Sequence, residues 1–327
     1  MSAQPLWAIT SYFNPAGYRR RLETYRQFRE RLAVPLATVE LSFTGRFELG
    51  PGDADALLQI HGGDVMWQKE RLLNLALRLL PASCDQIAWL DCDVVFTNGD
   101  WPAQVSAALH DVPLVHAFQA RADLPRGAEP GELSADVVAE AAPSMVYLMH
   151  DRGVPAADLL VPHPREKRRA TQGLAWAARR EVLDRHGLYD ACILGSADRA
   201  MLCAAMGLFD YGIRALLMNP RQQEHFLGWA RPFFETIAGR IGYVPGLALH
   251  LWHGEMRDRQ YGLREQGLQA FDFDPFADVA LDSHGCWRWS SDKKDMHAFI
   301  RRYFEARSED GRAAGASAVA PPRNRAL

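Results

Sequence analysis

The stretch Ile87-Ala88-Trp89-Leu90-Asp91-Cys92-Asp93-Val94-Val95-Phe96 constrains this chain more than any other. Ile87 to Leu90 is an apolar run too short for a helix and without alternation, the pattern of a strand buried on both faces, as in a parallel sheet. Two aspartates follow, one residue apart. In an extended chain positions i and i+2 point the same way, so Asp91 and Asp93 are expected to converge where the strand leaves the sheet, with Cys92 facing elsewhere. Ligands of open α/β sheets bind outside the carboxyl ends of the strands. Carboxylates held between apolar segments are costly unless something pairs with them. A hard divalent cation, Mg²⁺ or Mn²⁺, that also holds a diphosphate is the partner such a pair suits. Asp-x-Asp in isolation is common in solvated turns; the apolar segments on both sides set this one apart.

The flanking sequence supplies the elements such a strand needs. Strands are expected at 6–10, 37–43, 56–60 and 113–118, and helices over 18–32 and 66–80, the second with Asp64 as N-cap and Pro81 as its stop. This alternation predicts an α/β fold with a Rossmann-like, mostly parallel sheet flanked by helices. Residues 119–170 are rich in Pro, Gly and charge and read as a loop-rich insertion with a helical piece near 135–150. The basic cluster at 165–169 reads as a solvated loop. Beyond it, Gly173 to Leu183 reads as a strand then a helix, Gly187-Leu188-Tyr189-Asp190 as a turn, and Asp198 falls near the start of a helix reaching about 207, where the helix dipole favours a negative charge. A last helix is expected over about 293–307. Residues 1–305 then form a single domain, and 306–327, rich in Gly, Ala, Pro and Arg, read as a disordered tail.

Composition narrows the function classes. With 37 basic and 40 acidic residues and a net charge of −3, nothing favours general nucleic-acid binding. Cys84, Cys92, Cys192, Cys203 and Cys286 are scattered and form neither a zinc pattern nor a disulfide framework, so a reducing, cytoplasmic setting is expected. No run approaches the ~18 apolar residues of a membrane span, and the first residues lack a basic start and apolar core, so neither an integral membrane segment nor a signal peptide is expected. A lipid-linked partner would have to be met by peripheral contact.

Taken together, the strand with Asp91-Cys92-Asp93, the segment Gly173-Leu174-Ala175-Trp176-Ala177, the turn Gly187-Leu188-Tyr189-Asp190, the element Gly195-Ser196-Ala197-Asp198 and the late His253 resemble the pattern of a bacterial GT-A type glycosyltransferase. The pattern is similar to that of galactosyltransferases and polypeptide N-acetylgalactosaminyltransferases, and it covers about residues 5–260. One element departs from it: where those families carry Gly-Gly-Glu-Asp or Gly-Gly-Glu-Asn, Ser196 and Ala197 stand in the second and third positions, leaving Asp198 as the one carboxylate.

The resemblance implies a hexosyltransferase that moves a sugar from a nucleotide-diphosphate sugar, UDP-linked first, to an acceptor hydroxyl on a glycan, a lipid-linked or a small-molecule acceptor. It implies a metal, Mn²⁺ or Mg²⁺, held by Asp91, Asp93 and His253, with Asp91 also on the sugar or ribose side. His250 is a weaker candidate; by itself it reads as a packed or surface histidine. Trp176 would stack on a sugar, and Gly195 would border the substrate. Thr10, Tyr12 and Asn14 would lie under the nucleotide. Lys69, with Arg71, would add positive charge for the phosphates, and Asp198 would take the proton of the acceptor hydroxyl. Two other readings stand beside it. A sugar-nucleotidyltransferase needs a Gly-rich phosphate loop after the first strand, and Ser11-Tyr12-Phe13-Asn14-Pro15-Ala16-Gly17 is not one. A non-catalytic nucleotide-sugar-binding protein would not need Asp198.

Overall fold

A computed structural model describes residues 6–131, 133–160 and 170–311. The strands in chain order are β1 (Trp7–Phe13), β2 (Leu36–Ser42), β3 (Ala56–His61), β4 (Gln86–Leu90), β5 (Val94–Phe96), β6 (Leu114–His116), β7 (Ala120–Asp123), β8 (Ala142–Pro143), β9 (Ala175–Arg179), β10 (Ile241–Tyr243), β11 (Leu247–His250), β12 (Val279–Leu281) and β13 (Trp287–Trp289). The helices are α1 (Arg19–Glu30), α2 (Lys69–Ala76), α3 (Trp101–Asp111), α4 (Ala135–Ala139), α5 (Met145–Asp151), α6 (Ala156–Leu160), α7 (Arg180–His186), α8 (Ala197–Ala205), α9 (Phe209–Ala215), α10 (Pro220–Ile237), α11 (Leu263–Gln269) and α12 (Lys294–Ala306).

Seven strands make the main sheet in the order β10-β6-β9-β4-β1-β2-β3. Neighbours are parallel except around β9, which runs against both β4 and β6 and sets Trp176 opposite Trp89. The sheet is thus the mostly parallel one expected, with one reversed strand contributed by the chain as it returns from 119–174. Its two faces bury different side chains of the same strands, as a period of two requires. Ile9, Ile87 and Trp89 pack with Leu72 and Leu73 of α2, Leu202 of α8 and Phe226 and Phe233 of α10. Ala8, Ala88 and Leu90 pack with Phe28 of α1 and Trp101, Val105 and Leu109 of α3. Helices therefore cover both faces, which is why the central strands can be apolar throughout.

The chain leaves β4 through a turn at Cys92 and Asp93 and enters β5, the edge of a second sheet ordered β5-β11-β7-β8. In this sheet β11 pairs with β5 antiparallel and with β7 parallel, and the parallel register places His250 beside Asp123. A cleft lies where the two sheets meet, past the carboxyl ends of β1 and β4.

Several expected boundaries shift for visible reasons. The piece at 135–150 is two helices separated by β8, because Ser134 and Ser144 each cap a helix by accepting from Val137 N and Tyr147 N. Asp64 caps nothing: its carboxylate accepts from Trp289 N at 2.8 Å, and α2 begins five residues later. The basic cluster 165–169 lies outside the described residues. Most of the 306–327 tail does too, but 306–311 fold back against α1 and the cleft, and Glu309 is 1% exposed. No helix among the described residues is long and apolar enough to cross a membrane.

Candidate active site

The cleft encloses about 250 Å³ and is lined by Thr10, Lys69, Asp91, Asp93, Asp198, His250 and His253 among others. On one side Asp93, His250 and His253 offer one ligand atom each, all within 4.8 Å of one another. His253 Nε2 lies 2.7 Å from Asp93 Oδ2, and His250 Nε2 lies 3.9 Å from it. His250 Nδ1 is 2.8 Å from Asp123 Oδ1. An ionised carboxylate only accepts, so this nitrogen carries the proton and Nε2 turns its lone pair into the cluster. A carboxylate behind a ligating imidazole is the usual arrangement around a bound metal. Behind His253 stands Glu309, its Oε1 3.7 Å from Nδ1 and itself held by Arg21 at 3.0 Å and Arg307 at 2.5 Å. Gly254 makes this possible: a Cβ there would sit 2.9 Å from the Arg307 carbonyl oxygen.

The donor set can be tested against its own hydrogen bonds. Arg259 Nη2 lies 2.7 Å from His253 Nε2 and 3.4 Å from His250 Nε2. Asp93 asks His253 Nε2 to donate; Arg259, which only donates, asks the same atom to accept. No placement of protons satisfies both. Asp93 Oδ1 is also buried without a partner. One divalent cation taking the lone pairs of all three ligands would resolve the conflict, so the residues fit a metal. Burial acts to raise the Asp93 pKa, but His253, His250 and Arg259 outweigh it and hold the carboxyl far below its usual range. Burial lowers His250 to about 4, which keeps the ring neutral and able to ligate.

On the other side of the cleft Lys69 is the centre. It begins α2 and is 8% exposed, and its Nζ lies 2.5 Å from Asp91 Oδ1, 3.3 Å from Asp198 Oδ2 and 3.8 Å from Glu70 Oε1. Burial alone would lower the lysine; the three carboxylates more than reverse it. Burial raises Asp91 to about 6 and Glu70 to about 8, with Lys69 opposing in both cases. Asp198 stands in the first turn of α8, and its Oδ1 has no hydrogen-bond partner. It comes so close to Gly173 that a Cβ there would lie 2.6 Å from its Oδ2.

The structure thus brings Thr10, Lys69, Asp91, Asp93, Asp198 and His253 together, and promotes His250 to an equal of His253. It separates the acid pair. The i, i+2 rule needs extended backbone, and the chain turns at Cys92 and Asp93, so Asp93 joins the histidines while Asp91 goes to Lys69. Asp91 is therefore not among the three side chains whose ligand atoms converge. Five other expected residues do other work. Trp176 is 3% exposed, stacked between Trp89 and His116, and cannot meet a sugar. Tyr12 is buried against Tyr25 and bonded to Glu48. Asn14 accepts from Tyr18 N at 2.9 Å and so shapes the entry to α1. Gly195, at φ +87°, packs under Trp67, whose ring would be 3.3 Å from a Cβ there. Arg71 is engaged by Asp190 at 3.1 Å.

Residues outside the expected set are Arg259, Asp123, Glu309, Gly173 and Trp67. Trp67 is a half-buried aromatic on the cleft wall, stacked on Phe304 with the Arg307 guanidinium over its ring.

No family model and no curated protein matches the chain. Among solved structures it is similar to residues 1–349 of S. aureus TarS, at 10% identity and a TM-score of 0.37, over 91% of this chain and 71% of that one. It is similar to the mannosyltransferase PcManGT from Pyrobaculum calidifontis in complex with GDP-Man and Mn²⁺, at 14% and 0.40, over 92% and 70%. A third is the M. tuberculosis glucosyl-3-phosphoglycerate synthase, at 13% and 0.38, over 88% of each chain. These three are GT-A-type glycosyltransferases; the chain is also similar to the 4-diphosphocytidyl-2C-methyl-D-erythritol synthase from Anaerococcus prevotii, at 10% and 0.30, over 74% of this chain and 89% of that one.

Proposed function

We propose that this protein is a metal-dependent glycosyltransferase that moves a sugar from a nucleotide-diphosphate sugar, UDP-linked first, to an acceptor hydroxyl. One observation carries the reading. A single cleft at the strand ends holds a three-ligand cage on one wall and, on the other, a carboxylate at a helix start paired to a buried lysine.

The cage residues are Asp93, His250 and His253, with Asp123 and Glu309 behind the two rings. A divalent cation held by these residues would supply positive charge for the diphosphate leaving group. Two imidazoles in the set favour Mn²⁺ over Mg²⁺, which prefers oxygen ligands and retained water. Asp198 receives the proton of the attacking hydroxyl if the transfer inverts the anomeric centre, and orients the acceptor if it retains it. Lys69 holds Asp198 in place and, through Asp91, ties it to the donor side of the cleft. The acceptor is a glycan, a lipid-linked or a small molecule. The segment after β1 argues against a nucleotidyltransferase: Asn14 and Gly17 form a turn that leads into α1, and its sequence is not a Gly-rich phosphate cradle.

The test is a thermal-shift panel of nucleoside diphosphates and nucleotide sugars with and without Mn²⁺. A ligand that binds only the native state raises the midpoint by mass action. We expect a rise for UDP and UDP-sugars that requires Mn²⁺, and Asp198→Asn to keep that rise while losing sugar transfer. If no nucleotide shifts the midpoint in either condition, the reading fails.

A further inference from the structure

The guanidinium of Arg259 faces two imidazoles rather than bonding directly to the Asp93 carboxylate that its charge stabilises, and its Nε is buried without a hydrogen bond. That is a costly place for a fixed positive charge. It lies against the lone pairs that a divalent cation would take, and a guanidinium and a cation cannot share them. The residue is carried by a short segment between Gly254 at φ +88° and Gly262 at φ +79°, with Gln260 also left-handed at φ +49°. The same segment forms one wall of the cleft.

Resting on the reading of the cage as a metal site, we propose that Arg259 and the divalent cation exchange at Asp93, His250 and His253. The diphosphate of the donor draws the guanidinium out of the cage, and the cation takes its place. Arg259 is then a positioning residue that couples the two ligands: donor makes room for metal, and metal makes Arg259 available to donor. By linkage the coupling is reciprocal.

The test measures Mn²⁺ binding by the electron paramagnetic resonance of the free ion, with wild type, Arg259→Gln and Arg259→Lys, each with and without UDP. Without UDP, Arg259→Gln binds Mn²⁺ about tenfold or more tighter than wild type, because a positive charge a few ångströms from the ion has gone. Arg259→Lys, which keeps the charge, stays near wild type. UDP tightens Mn²⁺ binding in wild type, and this enhancement is smaller by about tenfold in Arg259→Gln. Equal Mn²⁺ affinities for wild type and Arg259→Gln, with the same enhancement by UDP, overturn the exchange and leave the metal-dependent transferase standing. If neither protein binds Mn²⁺ with or without UDP, both fall. Melting curves of the three proteins confirm that each is folded.

Discussion

Gly173→Ala separates the placement of Asp198 from every other property of the cleft. A Cβ at residue 173 would lie 2.6 Å from Asp198 Oδ2, 3.0 Å from Cγ and 3.3 Å from Cβ. Ordinary contact begins near 3.4 Å, so the carboxylate must retreat by roughly 0.8 Å, away from Gly173 and out of its present 3.3 Å approach to Lys69. The atom that must move ends a side chain, and Gly173 is not among the left-handed glycines, so the fold should lose only about 1 kcal/mol, the low end for overpacking. Catalysis is less tolerant: a displacement near 1 Å costs about 10²-fold. The variant should keep its UDP and Mn²⁺ affinities by calorimetry and lose about two orders of magnitude in turnover, read as nucleotide release from the donor that the panel identifies. Full turnover in a folded Gly173→Ala would refute the placement of Asp198 as the group that meets the acceptor. Loss of donor affinity equal to the loss of turnover would refute the separation of the two walls.

Three further outcomes follow from the same contacts. Asp123→Ala removes the acceptor of the His250 Nδ1–H bond and should weaken Mn²⁺ binding about 10–100-fold while the fold survives, as measured by metal titration. Glu70→Gln should be more stable than wild type at alkaline pH. Its carboxyl is raised to about 8, chiefly by burial, so the folded state holds a proton that the unfolded state releases near its ordinary value. Wild-type stability therefore falls as pH rises from about 4.5 through 8, by an amount on the order of 1–3 kcal/mol that the variant keeps; melting curves that run parallel from pH 4 to 9 would contradict this. Trp176→Phe should cost about 2 kcal/mol by opening space between Trp89 and His116, with donor affinity unchanged; a selective loss of affinity without loss of stability would return Trp176 to the substrate.

The central strand and its acids are legible because an apolar run between breakers admits few readings. The roles of the two aspartates are less so. Their spacing is in the sequence, but the turn that sends Asp93 to β11 and Asp91 to α2 is set by tertiary pairing. His250 looks ordinary in isolation because its partner, Asp123, reaches it only through the register of β7 and β11. Tyr12 and Trp176 sit in strands covered on both faces, where position along the chain does not say which side meets the cleft. Glu309 hides in a stretch whose composition reads as tail, since a single buried acid leaves no periodic trace. Helix α10 shows the opposite: Phe226, Ala230, Phe233 and Ile237 recur at helical spacing, and Asn219 as N-cap, Pro220 at the first position and Gln222 completing a capping box spell its start in the sequence.

The division of the acid pair gives the cleft its chemical sense. Lys69 offers one ammonium to three carboxylates, Asp91, Asp198 and Glu70. Burial raises Glu70 to about 8 and Asp91 to about 6, so of these two it is Glu70 that holds its proton at neutral pH. The ammonium is then left to Asp91 and Asp198, one on each side of the place where donor and acceptor must meet. Asp93, two residues along, answers to a different positive charge, that of Arg259 or of a divalent ion in its stead. On the proposed reading a fixed cation orders the acceptor side and an exchangeable one serves the leaving group, and the turn at Cys92 and Asp93 keeps the two from competing for the same carboxylate.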